Sequence, residues 1–331
     1  MKKEKVYIAI DLFKFIFAII VIAIHTHPFE SVESELFYKG FDLLSSIAVP
    51  FFFMTSGFLM SNKLNNIGYL KRILIRYLVL YIIWNIIYFP ITIYGFCVSN
   101  MPLEKIIFSY LKGLFLVGEQ FYSWPLWYLL GMVYILACSI VLKKNKKSLE
   151  KICLFNIIIY LIGILISVLI DMNSLLPIGL KKFTDVYCLI FENTRIMLGF
   201  GYFTVGILLR KNNTPISKKI SFLGFIVSFL IGFINLETFK YVSILLCALF
   251  ITEFVVKLNI KNDSSIFLRK LSTTIYLTHM IFFFLYNILI VKVKEHFGLD
   301  SFLVTTIVSV VVGIILIKLF SKKKWYSIVF S

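Results

Sequence analysis

Ten long apolar runs dominate this chain, near residues 7–27, 41–61, 73–97, 124–142, 152–171, 187–209, 219–236, 239–256, 271–291 and 299–319. A helix needs about 20 such residues to cross roughly 30 Å of hydrocarbon, because it rises only ~1.5 Å per residue. In lipid, every backbone N–H and C=O must be satisfied within the segment, which leaves helices as the spanning element for runs of this kind. The sequence therefore predicts an all-α, polytopic membrane helix bundle. Composition agrees: 60% of residues are hydrophobic and 15% charged, with mean hydropathy +0.93, against roughly 45–50% apolar residues in soluble domains. A soluble enzyme, a disordered regulator and a disulfide-built secreted module are excluded.

Charge orients the bundle. Lys and Arg number 34 against 17 Asp and Glu, a formal excess of +17. In a soluble chain that excess would suggest nucleic acid. In a membrane chain it follows from the concentration of basic residues in cytoplasmic loops, and no nucleic-acid partner is expected. An eleventh apolar stretch, 103–117, is too short to span comfortably. If it crossed, the block KKNKKSLEK at 143–151 would fall on the wrong side. Read as an interfacial or re-entrant helix, it leaves ten spans and both termini cytoplasmic, with 24 of the basic residues on the inner side. The opening MKKEK resembles a secretory signal, but the run behind it carries Asp11 and Lys14 and no small-residue cleavage site, so it reads as an uncleaved first span. Loops are short and no repeat is visible, so residues 1–331 read as a single membrane domain. The five cysteines lack metal-ligand or redox spacing and read as small core residues; no metal site is expected.

Ionisable residues within spans are costly and mark a bundle interior or a water-filled path. Asp11, Lys14 and His25 share one face of the first span; Lys14 and His25 are eleven residues apart, about three turns and roughly 16 Å along the axis. Arg72 and Arg76, one turn apart at the start of the third span, suit a phosphate group, although positive-inside anchoring accounts for them equally. Glu192 and Arg195 stand at i, i+3 in the sixth span, spaced for an ion pair. Ser272, Tyr276 and His279 share a broad face of the ninth, as candidates for a substrate path or for hydrogen bonding between helices. No Gly-rich phosphate loop, HExxH or GxSxG motif is present.

Taken in order, Lys14-x10-His25, SIAVPFFFMTSGFLM, KRILIRY, WPLWYLL and LSTTIYLTHMIF resemble the membrane acyltransferase-3 family, including the membrane half of vancomycin-type membrane-bound serine racemases. The resemblance runs from about residue 8 to 320. It implies a ten-helix bundle that passes an acyl group, with acetyl the expected one, from cytosolic acyl-CoA to a hydroxyl of an envelope carbohydrate or lipid-linked glycan. His25 matches the family's first-helix histidine. Lys14 stands where arginine is usual, keeping the charge but losing the bidentate fork. Arg72 and Arg76 match the basic entry to the third helix, and Arg195 matches a later intramembrane arginine more loosely. At this chain length no soluble racemase domain follows, so serine racemisation is not expected.

The expected mechanism has acyl-CoA phosphates on Lys14, Arg72 and Arg76, and His25 as general base or acyl carrier. Glu192 is the carboxylate proposed to assist, Asp11 being too far along its own helix. Asp11, Arg195, Ser272, Tyr276 and His279 would line the path. Acyl-CoA is a substrate here, and no permanently bound cofactor is expected. The expected location is a bacterial plasma membrane, with the lipid bilayer as a constant partner; the sequence is compatible with a homo-oligomer and fixes no oligomeric state. The alternative, from another class, is a transporter or flippase for serine, a sugar or a lipid-linked precursor, since intramembrane Lys, His and Glu–Arg groups also line transport paths.

Overall fold

In the computed structural model, residues 7–330 are described apart from 31, 33, 100, 213–215, 235, 261–264 and 294, with side chains also left aside at 236–239. The basic N-terminal tail used in the topology argument lies outside the described residues. The described chain is helical, with no strand. Among the described residues fourteen α-helices follow one another: α1 Ile8–Thr26, α2 Glu35–Ser46, α3 Ala48–Met60, α4 Ile67–Val98, α5 Leu103–Lys112, α6 Trp127–Lys144, α7 Leu149–Asp171, α8 Ile178–Phe191, α9 Arg195–Asn212, α10 Lys218–Ile234, α11 Leu236–Lys257, α12 Ser265–Leu285, α13 Leu299–Phe320 and α14 Lys324–Phe330. Among the described residues, seven helical segments are long and apolar enough to cross a membrane. This is a polytopic helical membrane protein.

The predicted short helix at 103–117 is there. It is a ten-residue α5 followed by a π-helical turn at Gly113–Val117, ended by Gly118 in the left-handed conformation. The predicted sixth span differs: 187–209 is not one helix. α8 stops at Phe191, Glu192 takes a left-handed backbone at φ 60°, and α9 begins at Arg195. Asn193 supplies the local cause, since its side-chain oxygen accepts from Arg195 N at 3.1 Å and caps the new helix.

The helices are apolar on the outside. On α13, Leu303, Ile307, Val311, Ile315 and Leu319 are exposed at four-residue intervals, while Ser301, Thr305, Ser309, Gly313 and Ile317 are buried. On α7, Leu154, Ile158, Leu161 and Leu165 face outward and Asn156, Tyr160, Gly163 and Ser167 inward. Lipid tails are as apolar as leucine, so small and hydroxyl-bearing residues go to the helix–helix contact, where backbones approach closely. At Gly313 a Cβ would stand 2.8 Å from Leu271 Cδ1.

The chain divides into two compact units, residues 1–56 with 209–331, and residues 57–208. In the first, α1 packs along α12, α12 along α13, and α10 along α11; in the second, α4 packs along α6. In the second unit, Gly57 brings α3 against the backbone of α9, where a Cβ would stand 2.0 Å from the Phe203 carbonyl oxygen.

Candidate functional site

The first unit brings together most of the polar stripe read from the sequence. Asp11 on α1 meets Arg269 on α12, and His25 meets His279 further along, so the two helices run parallel with a polar contact near each end. At the first contact, Arg269 Nε donates to Asp11 Oδ1 at 3.1 Å and Nη2 to Oδ2 at 3.0 Å. Ser265 donates a further hydrogen bond to Oδ2. Asp11 is buried, so this fork satisfies a carboxylate that would otherwise be costly in the membrane. Lys14, half-buried one turn on, makes no hydrogen bond or salt bridge among the described residues. Among the described residues, Asp11 thus faces two cations, paired with Arg269 and near Lys14.

At the other end, the His25 and His279 rings lie 5.6 Å apart between centroids, with planes 26° apart. His279 is fully buried and its Nδ1 is 3.0 Å from the Ile275 carbonyl oxygen. Tyr276 is buried beside it, 6.3 Å away between ring centroids, and packs edge-on against Phe52. Ser272 turns back to donate to the Arg269 carbonyl at 3.0 Å, a bond within its own helix. Between the two ends Ala18 and Ile22 are fully buried. By helical rise, Asp11 and His25 are roughly 21 Å apart.

The second unit holds the remaining predicted residues. Arg72 and Arg76 lie exposed in the first turns of α4. The expected ion pair between Glu192 and Arg195 is replaced by two others, because the chain breaks between them. Lys112 takes Glu192 at 2.6 Å, and Glu119 takes Arg195 at 2.7 Å. Arg195 also lies over the Trp127 ring, 5.4 Å from its centroid. Glu192 thus stands in the second unit with its charge engaged by Lys112. An apolar cavity of about 330 Å³ lies beside this network, lined by Tyr134, Tyr187, Phe191 and Met197 among others.

Sequence reasoning missed Arg269, Ser265, Glu119 and Lys112. Arg269 sits two residues before the ninth apolar run and was counted as a basic flank. A carboxylate at Asp11 needing a partner was the available signal, but nothing in the string says which flank supplies it.

Glu119 lies outside the spanning helices, and burial pushes its carboxyl above the usual range; Arg195 opposes the shift and Glu192 adds to it. A raised folded-state value means that the stability gained from the protonated form is full below the unfolded value of ~4.3 and is lost as pH rises through the folded one. Replacing Arg195 with Met removes the opposing charge and raises Glu119 further. The melting-temperature gap between wild type and Arg195→Met is therefore expected to widen from pH 5 to pH 8. A gap independent of pH would show that Arg195 does not hold the Glu119 charge.

The site is thus a histidine pair and a carboxylate–guanidinium pair on two parallel helices of a membrane protein. The acyltransferase-3 family, described as an acyltransferase domain, matches residues 7–318, and the chain belongs to that family. Two curated relatives, each called amino-acid racemase and each from Enterococcus faecalis, are similar over about half of this chain. One is 31% identical over 165 residues, covering 50% of this chain and 22% of that protein. The other is 27% identical over 184 residues, covering 54% and 25%. The chain thus spans about a quarter of the length of these relatives. No solved structure matches it.

Proposed function

We propose that this chain transfers a short acyl group, acetyl in the first instance, from cytosolic acyl-CoA to a hydroxyl of an envelope carbohydrate or lipid-linked glycan in a bacterial plasma membrane, with His25 as general base. The observation that carries the reading is the imidazole of His25 on the same helix as Lys14 and against His279 of α12, in a chain of the acyltransferase-3 family. With both termini cytoplasmic, Lys14 lies toward the donor side and His25 toward the acceptor side. The reaction balances without a further reagent. His25 takes the acceptor hydroxyl proton, the oxygen forms an ester bond to the thioester carbon, the C–S bond breaks, and the CoA thiolate leaves with the proton from His25. A histidine suits this because its ordinary pKa of ~6.5 leaves a neutral base near pH 7.

Arg72 and Arg76 are proposed as contacts for the CoA phosphates, for which guanidinium groups offer paired donors. The test uses protein in nanodiscs with acetyl-CoA, following free CoA with and without envelope extract. Acceptor-dependent release is expected, and the double variant Arg72→Ala with Arg76→Ala should raise the apparent KM for acetyl-CoA about tenfold or more, the loss of one or two charge-assisted contacts. An unchanged KM would return both arginines to anchoring the helix in the membrane. No release with any short acyl-CoA would overturn the acyltransferase reading and favour transport.

A further inference from the structure

The buried imidazole of His279 has a defined tautomer and an unused atom. A carbonyl oxygen has no proton to give, so the 3.0 Å contact between Nδ1 and Ile275 O requires the hydrogen on Nδ1. Nε2 is then a bare lone pair. It is fully buried and has no hydrogen-bond partner among the described residues. Leaving a buried acceptor unpaired is costly, so a donor that reaches it during function would recover that cost.

His25 is the group placed to do so. Its ring is half-buried at the last turn of α1, within 5.6 Å of the His279 ring, and the planes are 26° from parallel. Two near-parallel imidazoles joined edge to edge by an N–H···N bond of ~3 Å have centroids roughly 5 Å apart. The rings now lie stacked, at a centroid separation close to that of the bonded pair, so a turn of the His25 side chain that brings its edge to Nε2 would form the bond. We infer that His279 is a positioning residue for His25, accepting a hydrogen bond from one ring N–H so that the other His25 nitrogen presents its lone pair to the acceptor hydroxyl. This rests on the reading of His25 as the base. Once His25 takes the proton, the bond to Nε2 becomes charge-assisted and stronger. His279 thus stabilises an imidazolium that exists only during transfer, the task a carboxylate performs in a Ser-His-Asp triad. Here a neutral ring does it, locked by a carbonyl of its own helix.

The chain has only four histidines, His25, His27, His279 and His296, so ¹⁵N-histidine labelling reads each of them in the wild-type protein. The expected spectrum shows His279 protonated at Nδ1 and bare at Nε2, with an N–N coupling across the bond from His25. The paired variants are His279→Leu, which has no acceptor, and His279→Gln, which keeps an acceptor oxygen near the place of Nε2. Leu should lower kcat roughly 10²-fold, less than the ~10⁴ lost with an ionised triad partner, with KM for acetyl-CoA unchanged. Gln should recover at least a tenth of wild-type turnover. Protonation of wild-type His279 at Nε2, wild-type turnover in the Leu variant, or a Gln variant no better than Leu would each overturn the inference. An intact N–H···N bond in a protein that turns over no acyl-CoA would support the pairing and count instead against the acyltransferase reading.

Discussion

Replacing His25 with alanine is expected to reduce acyl transfer to about 1% of wild type or less, while the protein still inserts, purifies and melts as before. General-base catalysis is worth ~10²–10⁴ in rate, and loss of an imidazole that also carried the acyl group would cost no less. The fold should tolerate the change. His25 is half-buried in the last turn of α1, where alanine is a good helix former, and the end of that helix is held by other means. The His27 N–H donates to Ala23 O at 3.1 Å, and Gly298 N donates to Thr26 O at 2.8 Å, tying the end of α1 to the segment before α13. His27→Ala is the natural control: this residue caps the helix with a left-handed backbone and sets its ring edge-on to Phe297, so its loss should leave turnover largely intact. The measurement is acceptor-dependent CoA release from purified protein, with melting temperature recorded on the same samples. Wild-type turnover in His25→Ala would remove the histidine from the mechanism. Loss of turnover with a collapsed melting curve would make His25 a packing residue, and the two readouts together separate these cases.

The stripe on α1 was legible because helical spacing is a property of the string: Asp11, Lys14 and His25 fall on one face whatever the neighbours do. Their partners were legible only in part. Ser272, Tyr276 and His279 were found because they sit inside an apolar run, where polar groups stand out. Of these, His279 faces α1 across the seam, Tyr276 packs beside it against Phe52 of α3, and the Ser272 hydroxyl is spent on its own helix. Arg269 escaped because a basic residue at the edge of a run reads equally well as a cytoplasmic flank, and only packing against Asp11 distinguishes the two. The sixth span failed for a related reason. A window average carries the apolar runs on either side across the polar stretch at 192–195, and it registers neither the positive φ of Glu192 nor the asparagine oxygen that accepts from Arg195 N where the next helix starts. The expected pairing of Glu192 with Arg195 assumed one continuous helix, and once that helix breaks each side chain takes a different partner. Apolar periodicity thus locates helices and their buried faces, while breaks and cross-helix ion pairs depend on contacts between residues distant in the chain.

Arg269→Ala is expected to destabilise the protein more than Asp11→Asn, although both remove the same ion pair. The asymmetry follows from burial. The Asp11 side chain is 6% exposed and that of Arg269 58%, so the two groups lose different amounts when left alone. Without Arg269, the buried carboxylate keeps, among the described residues, the Ser265 hydroxyl and the nearby Lys14. Orphaning a buried charge in this way costs on the order of 3 kcal/mol, less whatever Lys14 returns. In Asp11→Asn, the amide oxygen still accepts from Ser265 and the buried carboxylate charge is gone, while the Arg269 guanidinium is largely exposed and so is not left buried without a partner. That loss should stay near 1 kcal/mol, the worth of a single net hydrogen bond. In thermal melts of detergent-solubilised protein, Arg269→Ala should fall roughly 5 °C or more below wild type and Asp11→Asn only a degree or two. Equal losses would mean that the pair is solvated at both ends and contributes little to the seam. The reverse order would mean that Asp11 is the residue holding two cations, Lys14 and Arg269, together, so that its removal leaves them to repel one another. In that case the inner end of the seam would be balanced around a carboxylate, and Lys14 would not be available to an incoming anion.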